Sequence, residues 1–265
     1  MLPHWACRHN GDDPAAGHHT KPKETESAMT TLGIIGSGNI GTAVARLAVA
    51  AGIEVVIANS RGPESLTDVI DQLGDHATAA TIQDAAGSGV AVLLSIPISA
   101  YRNLPEGLLD GRTVLDTGNY YPSRDGRIPE LDSGRYTQLQ LGQKLLPGAV
   151  LVKAFSNILA HHIPQLARPS GAPDRTALPI ASDNTEARDL AAGLIDRLGF
   201  DTLDAGPASQ TWRFEPESAG YTQIYLSDPT VSPADFMTTP GAPVSKETLR
   251  AALASATPVD VAARD

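Results

Sequence analysis

A glycine-rich turn is the part of this 265-residue sequence best suited to chemistry. The segment Gly36-Ser37-Gly38-Asn39-Ile40-Gly41 has the spacing GxGxxG, follows the apolar run 32–35, and precedes a run with helical spacing. Gly36 would permit a tight turn, Gly38 would let the backbone approach a pyrophosphate, and Gly41 would let the helix pack closely on a strand. The free N–H groups at a helix N-terminus bind anions. The pattern therefore predicts a dinucleotide-binding turn.

The residues after the next apolar run indicate which dinucleotide would bind. Asn59-Ser60-Arg61 follows the run 54–58, where an NAD site places Asp or Glu to accept hydrogen bonds from the ribose 2′-hydroxyl. A carboxylate would repel a 2′-phosphate, whereas the Arg61 guanidinium and the Ser60 hydroxyl can bind it through charge-assisted hydrogen bonds. We therefore predict NADP(H) rather than NAD(H). The alternative is that Arg61 is a solvated surface arginine.

Three later apolar runs are also followed directly by residues that could line a ligand site, because ligands in parallel sheets lie beyond the carboxyl ends of the strands. These residues are Ser95-Ile96-Pro97, the segment 116–122 with Asn119 as a candidate ligand contact, and the segment 153–158. Asp116 is either a general base or a brace for the next loop, and Lys153 is either an anion-binding group or a brace. His161 and His162 are adjacent in sequence, so we expect their side chains to point in different directions and not to share one ligand.

Alternating strands and helices are expected to position these residues. Strand candidates are 32–35, 54–58, 77–80, 90–94, 113–116, 150–153, 177–181 and 202–204. The clearest helix follows Asp183, a candidate N-cap with Glu186 three residues on, and carries apolar residues at helical spacing. This alternation predicts an α/β fold of the Rossmann type, a doubly wound parallel sheet with right-handed crossovers.

Composition excludes several classes of function. Apolar residues make up 42% and charged residues 19%, the balance of a globular protein. The formal net charge of −10 argues against nucleic acid or an anionic membrane as a partner, because phosphate binding needs a basic surface. Cys7 is the sole cysteine, so no internal disulfide can form, and no apolar run reaches membrane-spanning length. We expect a cytoplasmic protein.

Three segments follow from these patterns. Residues 1–28 contain four histidines and Cys7 without any apolar period, so we expect a disordered leader, with Met29 as the functional start and no metal site. Residues 29–216 form the predicted NADP-binding domain. Residues 217–265 are too short for a separate substrate domain, and we expect them to pack as a tail with a helix near 246–256 on this domain or on a partner subunit. We expect a homodimer, because two-fold dimers are the commonest oligomers of soluble proteins.

Several motifs in this order carry a family resemblance. GIIGSGNIG, NSRGPES, LLSIP, VLDTGNYYPSRDGRIPE, LVKAFSNI and GFDTLDAGPASQTWRFEP together resemble the NADPH-dependent reductases of the deazaflavin coenzyme F420, over about 31–216. The resemblance implies that the glycine loop (Gly36, Ser37, Gly38, Asn39, Ile40) holds the pyrophosphate and that Ser60 and Arg61 hold the 2′-phosphate. It also implies that Ser95, Ile96 and Pro97 line the cofactor, and that Ala154, Ser156, Asn157 and Ile158 lie near the nicotinamide and its hydride partner.

The implied reaction needs little from side chains. Hydride transfer to a deazaflavin forms no oxyanion at a substrate carbonyl, so catalysis can rest on stacking two planar rings in a dry pocket. We therefore expect the segment containing Ala154, Asn157 and Ile158 to form the catalytic site by positioning. Trp212, Phe214 and Tyr221 are either further walls of this pocket or ordinary packing residues.

Other acceptors and functions are compatible with the same residues. A flavin or ferric reductase would use FMN, FAD or iron with the same NADPH domain, and a non-catalytic NADPH sensor would bind without turnover. An imine or β-hydroxyacid reductase is a further alternative, because pyrroline-carboxylate reductases and hydroxyacid dehydrogenases share the glycine-rich opening. Those families add a helical domain of about 100 residues or more, for which we expect no room after Asp204.

Overall fold

A computed structural model describes residues 31–264, so the expectations for the leader and Met29 lie outside the described residues. All eight predicted strands are present, with ends that differ by one residue at most. They are β1 Thr31–Ile35, β2 Glu54–Ala58, β3 Ala77–Ala79, β4 Ala91–Leu94, β5 Thr113–Asp116, β6 Val150–Lys153, β7 Ala177–Ile180 and β8 Asp201–Asp204.

Six of these strands form one parallel sheet in the order β3-β2-β1-β4-β5-β6. In register, Ile35 lies opposite both Ala58 and Leu94, so the strands β1, β2 and β4 end together at one edge. The strands β7 and β8 pair in parallel with each other as a separate two-stranded sheet. An isolated antiparallel bridge between Lys153 and Ala181 connects this pair to β6. The predicted α/β doubly wound fold is confirmed, and the strand order reverses between β1 and β4.

Helices connect the strands and cover the sheet. They are α1 Asn39–Ala50, α2 Thr67–Leu73, α3 Ile82–Gly87, α4 Pro122–Asp125, α5 Pro129–Asp132, α6 Gln138–Leu145, α7 His162–Leu166, α8 Thr185–Arg197 and α9 Lys246–Ser255. Short 3₁₀ helices lie at Pro63–Leu66, Ile98–Asn103, Ala208–Phe214, Thr222–Tyr225, Pro233–Asp235 and Val261–Ala263.

The predicted N-cap of α8 was wrong by one residue. Asn184 caps this helix, and its Oδ1 accepts a hydrogen bond of 2.9 Å from the N–H of Ala187. Asp183 instead accepts a hydrogen bond from the N–H of Ala208 at 2.9 Å. Both residue types are good N-caps, so the sequence pattern could not choose between neighbours.

Two apolar clusters cover the two faces of the six-stranded sheet. Neighbouring residues of β1 alternate between them, with Ile34 in one cluster and Ile35 in the other. The larger cluster continues through Phe155 to β7 and α8. The strands are buried on both faces, as parallel strands beneath helices are.

The C-terminal residues pack on this domain. The helix α9 lies against β7 and β8 and buries Leu249 and Leu253. The N–H of Ala177 in β7 donates to the carbonyl of Val244 at 2.7 Å, so the tail is also tied to this strand by its backbone. Arg127 donates to the carbonyls of Ala262 and Arg264 at 2.9 and 2.8 Å. No helix in residues 31–264 is long and apolar enough to cross a membrane.

Candidate functional site

Two adjoining pockets open where the strands of the large sheet end. The first, which we call the glycine-loop pocket, has a volume of about 500 Å³. The second, which we call the tyrosine pocket, has a volume of about 290 Å³ and contains Tyr121 and Tyr221 in its wall. The residues that line both pockets are Gly38, Ser95, Ile96 and Pro97.

The glycine-rich turn has the geometry of an anion site. Gly36 has φ 113°, in the left-handed region that favours glycine, and a Cβ there would lie 2.1 Å from the carbonyl oxygen of Ser95. A Cβ at Gly41 would lie 1.9 Å from the carbonyl oxygen of Gly36, so the start of α1 packs directly on the turn. A Cβ at Gly38 would meet no atom within 4 Å, because this residue faces the pocket. The first turn of α1 contains no acidic residue.

The end of β2 contributes the opposite wall of the glycine-loop pocket. Asn59, Ser60 and Arg61 all line it, and the Asn59 Oδ1 accepts a hydrogen bond of 2.8 Å from the N–H of Arg61. The Asn59 Nδ2 donates to the hydroxyls of Ser37 and Ser65 at 3.2 and 3.0 Å. Among the described residues that line this pocket, none is acidic. This donor set suits a phosphorylated dinucleotide.

The structure brings together almost all of the predicted cofactor-binding residues. Gly36, Ser37, Gly38, Ser60, Arg61, Ser95, Ile96 and Pro97 line the glycine-loop pocket. Asn39, Ile40 and Asn119 line the tyrosine pocket. Gly41 is buried beneath the turn rather than in the pocket wall.

The tyrosine pocket contains a polar cluster that brings together Asn119, Tyr121 and Tyr221, which the sequence named separately, with Arg124, which it did not name. The hydroxyls of Tyr121 and Tyr221 are in direct hydrogen-bond contact. The Asn119 Nδ2 donates to the Tyr221 hydroxyl at 3.4 Å and to the carbonyl of Ser156 at 2.6 Å. The guanidinium carbon of Arg124 lies 5.1 Å from the centre of the Tyr121 ring. Burial raises the pKa of both tyrosines, so both phenols remain protonated near neutral pH.

Two lining residues of the tyrosine pocket hold unpaired polar atoms. The Ser156 Oγ and the Asn119 Oδ1 are buried and have no hydrogen-bond partner within the part of the chain that the structure describes. Buried polar atoms are normally paired, so such atoms in a pocket wall point to a missing ligand or water. The neighbouring Phe155 has φ 53°, in the left-handed region, which is rare for a bulky residue and is found at binding sites.

The three predicted catalytic residues do not share one surface. Ile158 lines the tyrosine pocket. Ala154 and Asn157 are fully buried, and the Asn157 Nδ2 donates to the carbonyl of Gly220 at 2.8 Å and to the Tyr225 hydroxyl at 3.0 Å. Asn157 therefore ties this segment to the tail. A direct catalytic role for Ala154 and Asn157 stays a prediction that their contacts do not favour.

Asp116 and Lys153 form a buried brace between β5 and β6. The Lys153 Nζ lies 3.5 Å from the Asp116 Oδ2 and donates to the carbonyl of Gly118, and both side chains are fully buried. The Asp116 Oδ1 accepts hydrogen bonds from the Tyr101 hydroxyl and, at 2.7 Å, from the N–H of Gly118. Of the alternatives left open above, the structure favours bracing for both residues.

The expectation for the two adjacent histidines was wrong. The rings of His161 and His162 lie 4.1 Å apart, and both Nε2 atoms contact the carbonyl oxygen of Thr239, at 3.1 and 2.8 Å. The reason is tertiary: both rings turn toward the carbonyl of Thr239, which the tail brings to the start of α7. Burial lowers the pKa of His162, so its ring is held in the neutral form.

The three aromatic candidates are divided among different places. Tyr221 lines the tyrosine pocket, Trp212 lines a separate cavity beside Tyr136, and Phe214 is buried in the core. The wall residues that sequence reasoning missed are Arg124, Leu159, Ala160 and Met237, whereas Tyr121 lies in the predicted segment 116–122. Arg124, Leu159 and Ala160 follow the predicted segments 116–122 and 153–158 within two residues, which was the available signal, whereas Met237 comes from the distant tail.

Comparison with known proteins gives the family. A family model described as "NADP oxidoreductase coenzyme F420-dependent" matches residues 31–120. The solved structure of a hypothetical protein from Sinorhizobium meliloti is 31% identical, with 73% of this chain and 93% of that chain covered and a TM-score of 0.61. The chain belongs to the same family as this Sinorhizobium meliloti protein, and its residues 31–120 match the model of the coenzyme F420-dependent NADP oxidoreductases.

A second solved structure supports the fold alone. A candidate F420-dependent NADP reductase from an Arthrobacter strain is 20% identical to this chain, with 69% of this chain and 87% of that chain covered. Its TM-score of 0.57 indicates a shared fold. No curated protein matches the chain. The matched residues 31–120 include the whole glycine-loop pocket wall.

Proposed function

We propose that this chain transfers a hydride between NADP(H) and the deazaflavin coenzyme F420. The observation that carries the proposal is the common wall of the two pockets: Gly38, Ser95, Ile96 and Pro97 line both. A dinucleotide in the glycine-loop pocket would therefore extend toward a ligand in the tyrosine pocket. The family model that matches residues 31–120 supports both ligands, because its description names them.

The glycine-loop pocket fits NADP(H). The open backbone at Gly38 and the N-terminus of α1 would hold the pyrophosphate. Ser60 and Arg61 would hold the 2′-phosphate. The neutral amide of Asn59, in place of a carboxylate, would not repel this phosphate. When bound, NADPH supplies the hydride.

The tyrosine pocket fits a planar acceptor ring with polar edges. Phe155, Ile158, Tyr121 and Tyr221 in its wall would contact the ring and exclude water. The unpaired Ser156 Oγ lies in the same wall and would bind a polar group of the ring. The chain thus contributes orientation and a dry site, which are the main requirements for hydride transfer between two rings.

Asn157 has a positioning role in this proposal. Its bonds to Gly220 and Tyr225 hold the segment between Phe155 and Ile158 against the tail that carries Tyr221. Ala154 lies one residue after the brace at Lys153, and its N–H donates to the carbonyl of Asp116 at 3.1 Å. Both residues would act through the wall residues beside them.

Acceptor-dependent oxidation of NADPH tests the proposal. The purified full chain is mixed with NADPH, and the nicotinamide absorbance is followed with coenzyme F420, FMN or FAD in separate reactions. Rapid oxidation with coenzyme F420 alone is the expected result. Oxidation only with FMN or FAD would instead assign a flavin reductase. Saturable binding of NADPH without turnover of any of the three would contradict the proposal and favour a sensor.

A further inference from the structure

The contact between Tyr121 and Tyr221 joins two distant parts of the chain inside the tyrosine pocket. Tyr121 precedes α4, just beyond the end of β5, and Tyr221 precedes the 3₁₀ helix Thr222–Tyr225 in the tail. Their hydroxyls meet across 100 positions of sequence. Each residue is only half-buried, and both line the pocket, so a ligand there can reach them.

We propose that Tyr121 and Tyr221 form a proton-donating pair for the acceptor in the tyrosine pocket, with Tyr221 as the group that touches the acceptor. This inference rests on the proposed function, because it assumes that the acceptor is reduced in this pocket. It adds the source of a proton, which hydride transfer alone does not provide. The acceptor class is therefore a conjugated ring that carries an oxygen or nitrogen atom able to take up this proton.

The hydrogen bonds around Tyr221 leave its proton available. A phenol oxygen has two lone pairs and one O–H. Asn119 Nδ2 donates to the Tyr221 oxygen, and in the arrangement where Tyr121 also donates to it, both lone pairs are occupied. The O–H of Tyr221 then finds its acceptor elsewhere, at the neighbouring Thr222 hydroxyl until a ligand in the pocket takes its place.

Arg124 supplies the charge that would make this proton transfer favourable. Its guanidinium lies over the Tyr121 ring, and it is held there by bonds to the Asp125 carboxylate at 2.8 Å and to the carbonyl of Asn119. A cation over the ring stabilises negative charge on the phenol oxygen as the proton leaves. Asp125 in turn accepts from the N–H of Tyr121 at 3.0 Å, so the whole turn is fixed before the acceptor binds.

The proton step balances without a further reactant. The ring receives two electrons with the hydride, which leaves a negative charge on its oxygen or nitrogen atom. The O–H bond of Tyr221 breaks and a bond forms between its proton and that atom. Tyr221 takes the proton of Tyr121, and water restores the proton of Tyr121. The ring has then gained one hydride and one proton, and both tyrosines are unchanged.

The test compares Tyr221→Phe and Tyr121→Phe with the wild type and with the matched control Tyr136→Phe, which lies beside a different cavity. The first readout is kcat with coenzyme F420 in H2O and in D2O. General acid catalysis contributes about 100-fold or more, so we expect Tyr221→Phe to lower kcat by roughly 10- to 100-fold. We expect the wild-type solvent isotope effect to disappear in this variant. Tyr121→Phe should lower kcat less, because water can replace it as the donor to Tyr221.

The second readout is binding without turnover. Quenching of deazaflavin fluorescence in the presence of NADP+ gives the dissociation constant of the acceptor, and thermal melting checks the fold of each variant. Loss of one hydrogen bond should weaken binding to Tyr221→Phe by about fivefold, at an unchanged melting temperature. If kcat, the solvent isotope effect and acceptor binding are all unchanged in Tyr221→Phe, the tyrosine pair is not the proton donor. The proposed function would not be affected by that result. Absence of deazaflavin binding and turnover in the wild type would overturn the proposed function and this assignment with it.

Discussion

Asn59 donates a hydrogen bond from its Nδ2 to the hydroxyl of Ser37, 3.2 Å away and 22 positions earlier in the chain. Ser37 belongs to the glycine-rich turn after β1, and Asn59 is the first residue after β2. The same Asn59 side chain accepts the N–H of Arg61 through its Oδ1. One neutral amide therefore holds the two loops of the glycine-loop pocket together. An aspartate could accept from Arg61 in the same way, but it could not donate to Ser37.

Asn59→Asp is predicted to shift the cofactor preference from NADP toward NAD. The new carboxylate would repel a 2′-phosphate at Ser60 and Arg61, and it could accept from a ribose 2′-hydroxyl. We expect the dissociation constant for NADP+ to rise by about 10- to 100-fold, with unchanged or tighter binding of NAD+. Titration calorimetry with both dinucleotides measures this. Asn184→Asp is the control, because it makes the same change at the N-cap of α8. Parallel weakening of both dinucleotides would contradict the prediction.

Arg61→Ala is predicted to affect NADPH selectively. The Arg61 side chain is exposed in the rim of the glycine-loop pocket, so its removal leaves the fold intact. A charge-assisted hydrogen bond is worth about 1.5–3 kcal/mol, so the KM for NADPH should rise roughly 10- to 100-fold. The KM for NADH should change little. Arg250→Ala, at an exposed position of α9, is the control. Equal effects on the two dinucleotides would mean that Arg61 does not bind the 2′-phosphate.

Gly38→Ala is predicted to block dinucleotide binding without loss of stability. An added Cβ would contact no protein atom, but it would stand between the α1 N-terminus and the pocket. We expect NADP+ to protect the wild type against thermal melting and to give the variant no such shift. Gly87→Ala is the matched control, because a Cβ there also meets nothing within 4 Å and lies away from both pockets. An equal shift for both variants would show that the pyrophosphate lies elsewhere.

The sequence predicts the glycine-loop pocket better than the tyrosine pocket, for a physical reason. Apolar runs and glycine spacing are local signals, so they locate β1, the turn at Gly36 and the end of β2 directly. The wall of the tyrosine pocket depends on contacts between residues far apart in the chain, such as Tyr121 with Tyr221. Nothing in the sequence around Asn157 indicates that its amide is hydrogen-bonded to Gly220 and Tyr225 rather than to a ligand. Helix spacing likewise could not show that His161 and His162 converge on Thr239.

Lys153→Met is predicted to destabilise the fold strongly. The substitution leaves the buried Asp116 carboxylate without its cationic partner, and a loss of this kind costs about 3–5 kcal/mol. Urea denaturation gives the free energy of unfolding. Lys144→Met is the control, because Lys144 is exposed and its ion pair with Glu130 at 3.7 Å should contribute about 1 kcal/mol or less. Adding Asp116→Asn to Lys153→Met should restore part of the loss. A loss no larger than that of Lys144→Met would show that the brace is dispensable.

Glu215→Gln is predicted to change how stability depends on pH. Burial raises the pKa of the Glu215 carboxyl above its ordinary value of 4.5, although Lys153, Thr211 and the N–H of Gln138 favour the charged form. The folded chain therefore holds this proton more tightly than the unfolded chain does. The contribution of Glu215 to the free energy of unfolding therefore falls as the pH rises from about 4.5 through the folded-state pKa of this carboxyl.

A glutamine at this position removes the titration but keeps the oxygen that accepts from Gln138 and Thr211 at 2.8 and 2.7 Å. Urea denaturation at a series of pH values from 4 to 8 should give a flatter stability profile for Glu215→Gln than for the wild type. Glu106→Gln, at an exposed position, should keep the wild-type slope. If Glu215→Gln also keeps that slope, the carboxyl has the same pKa in the folded and unfolded chains, and its burial is offset by Lys153, Thr211, Gln138 and Arg264, which favour its charge.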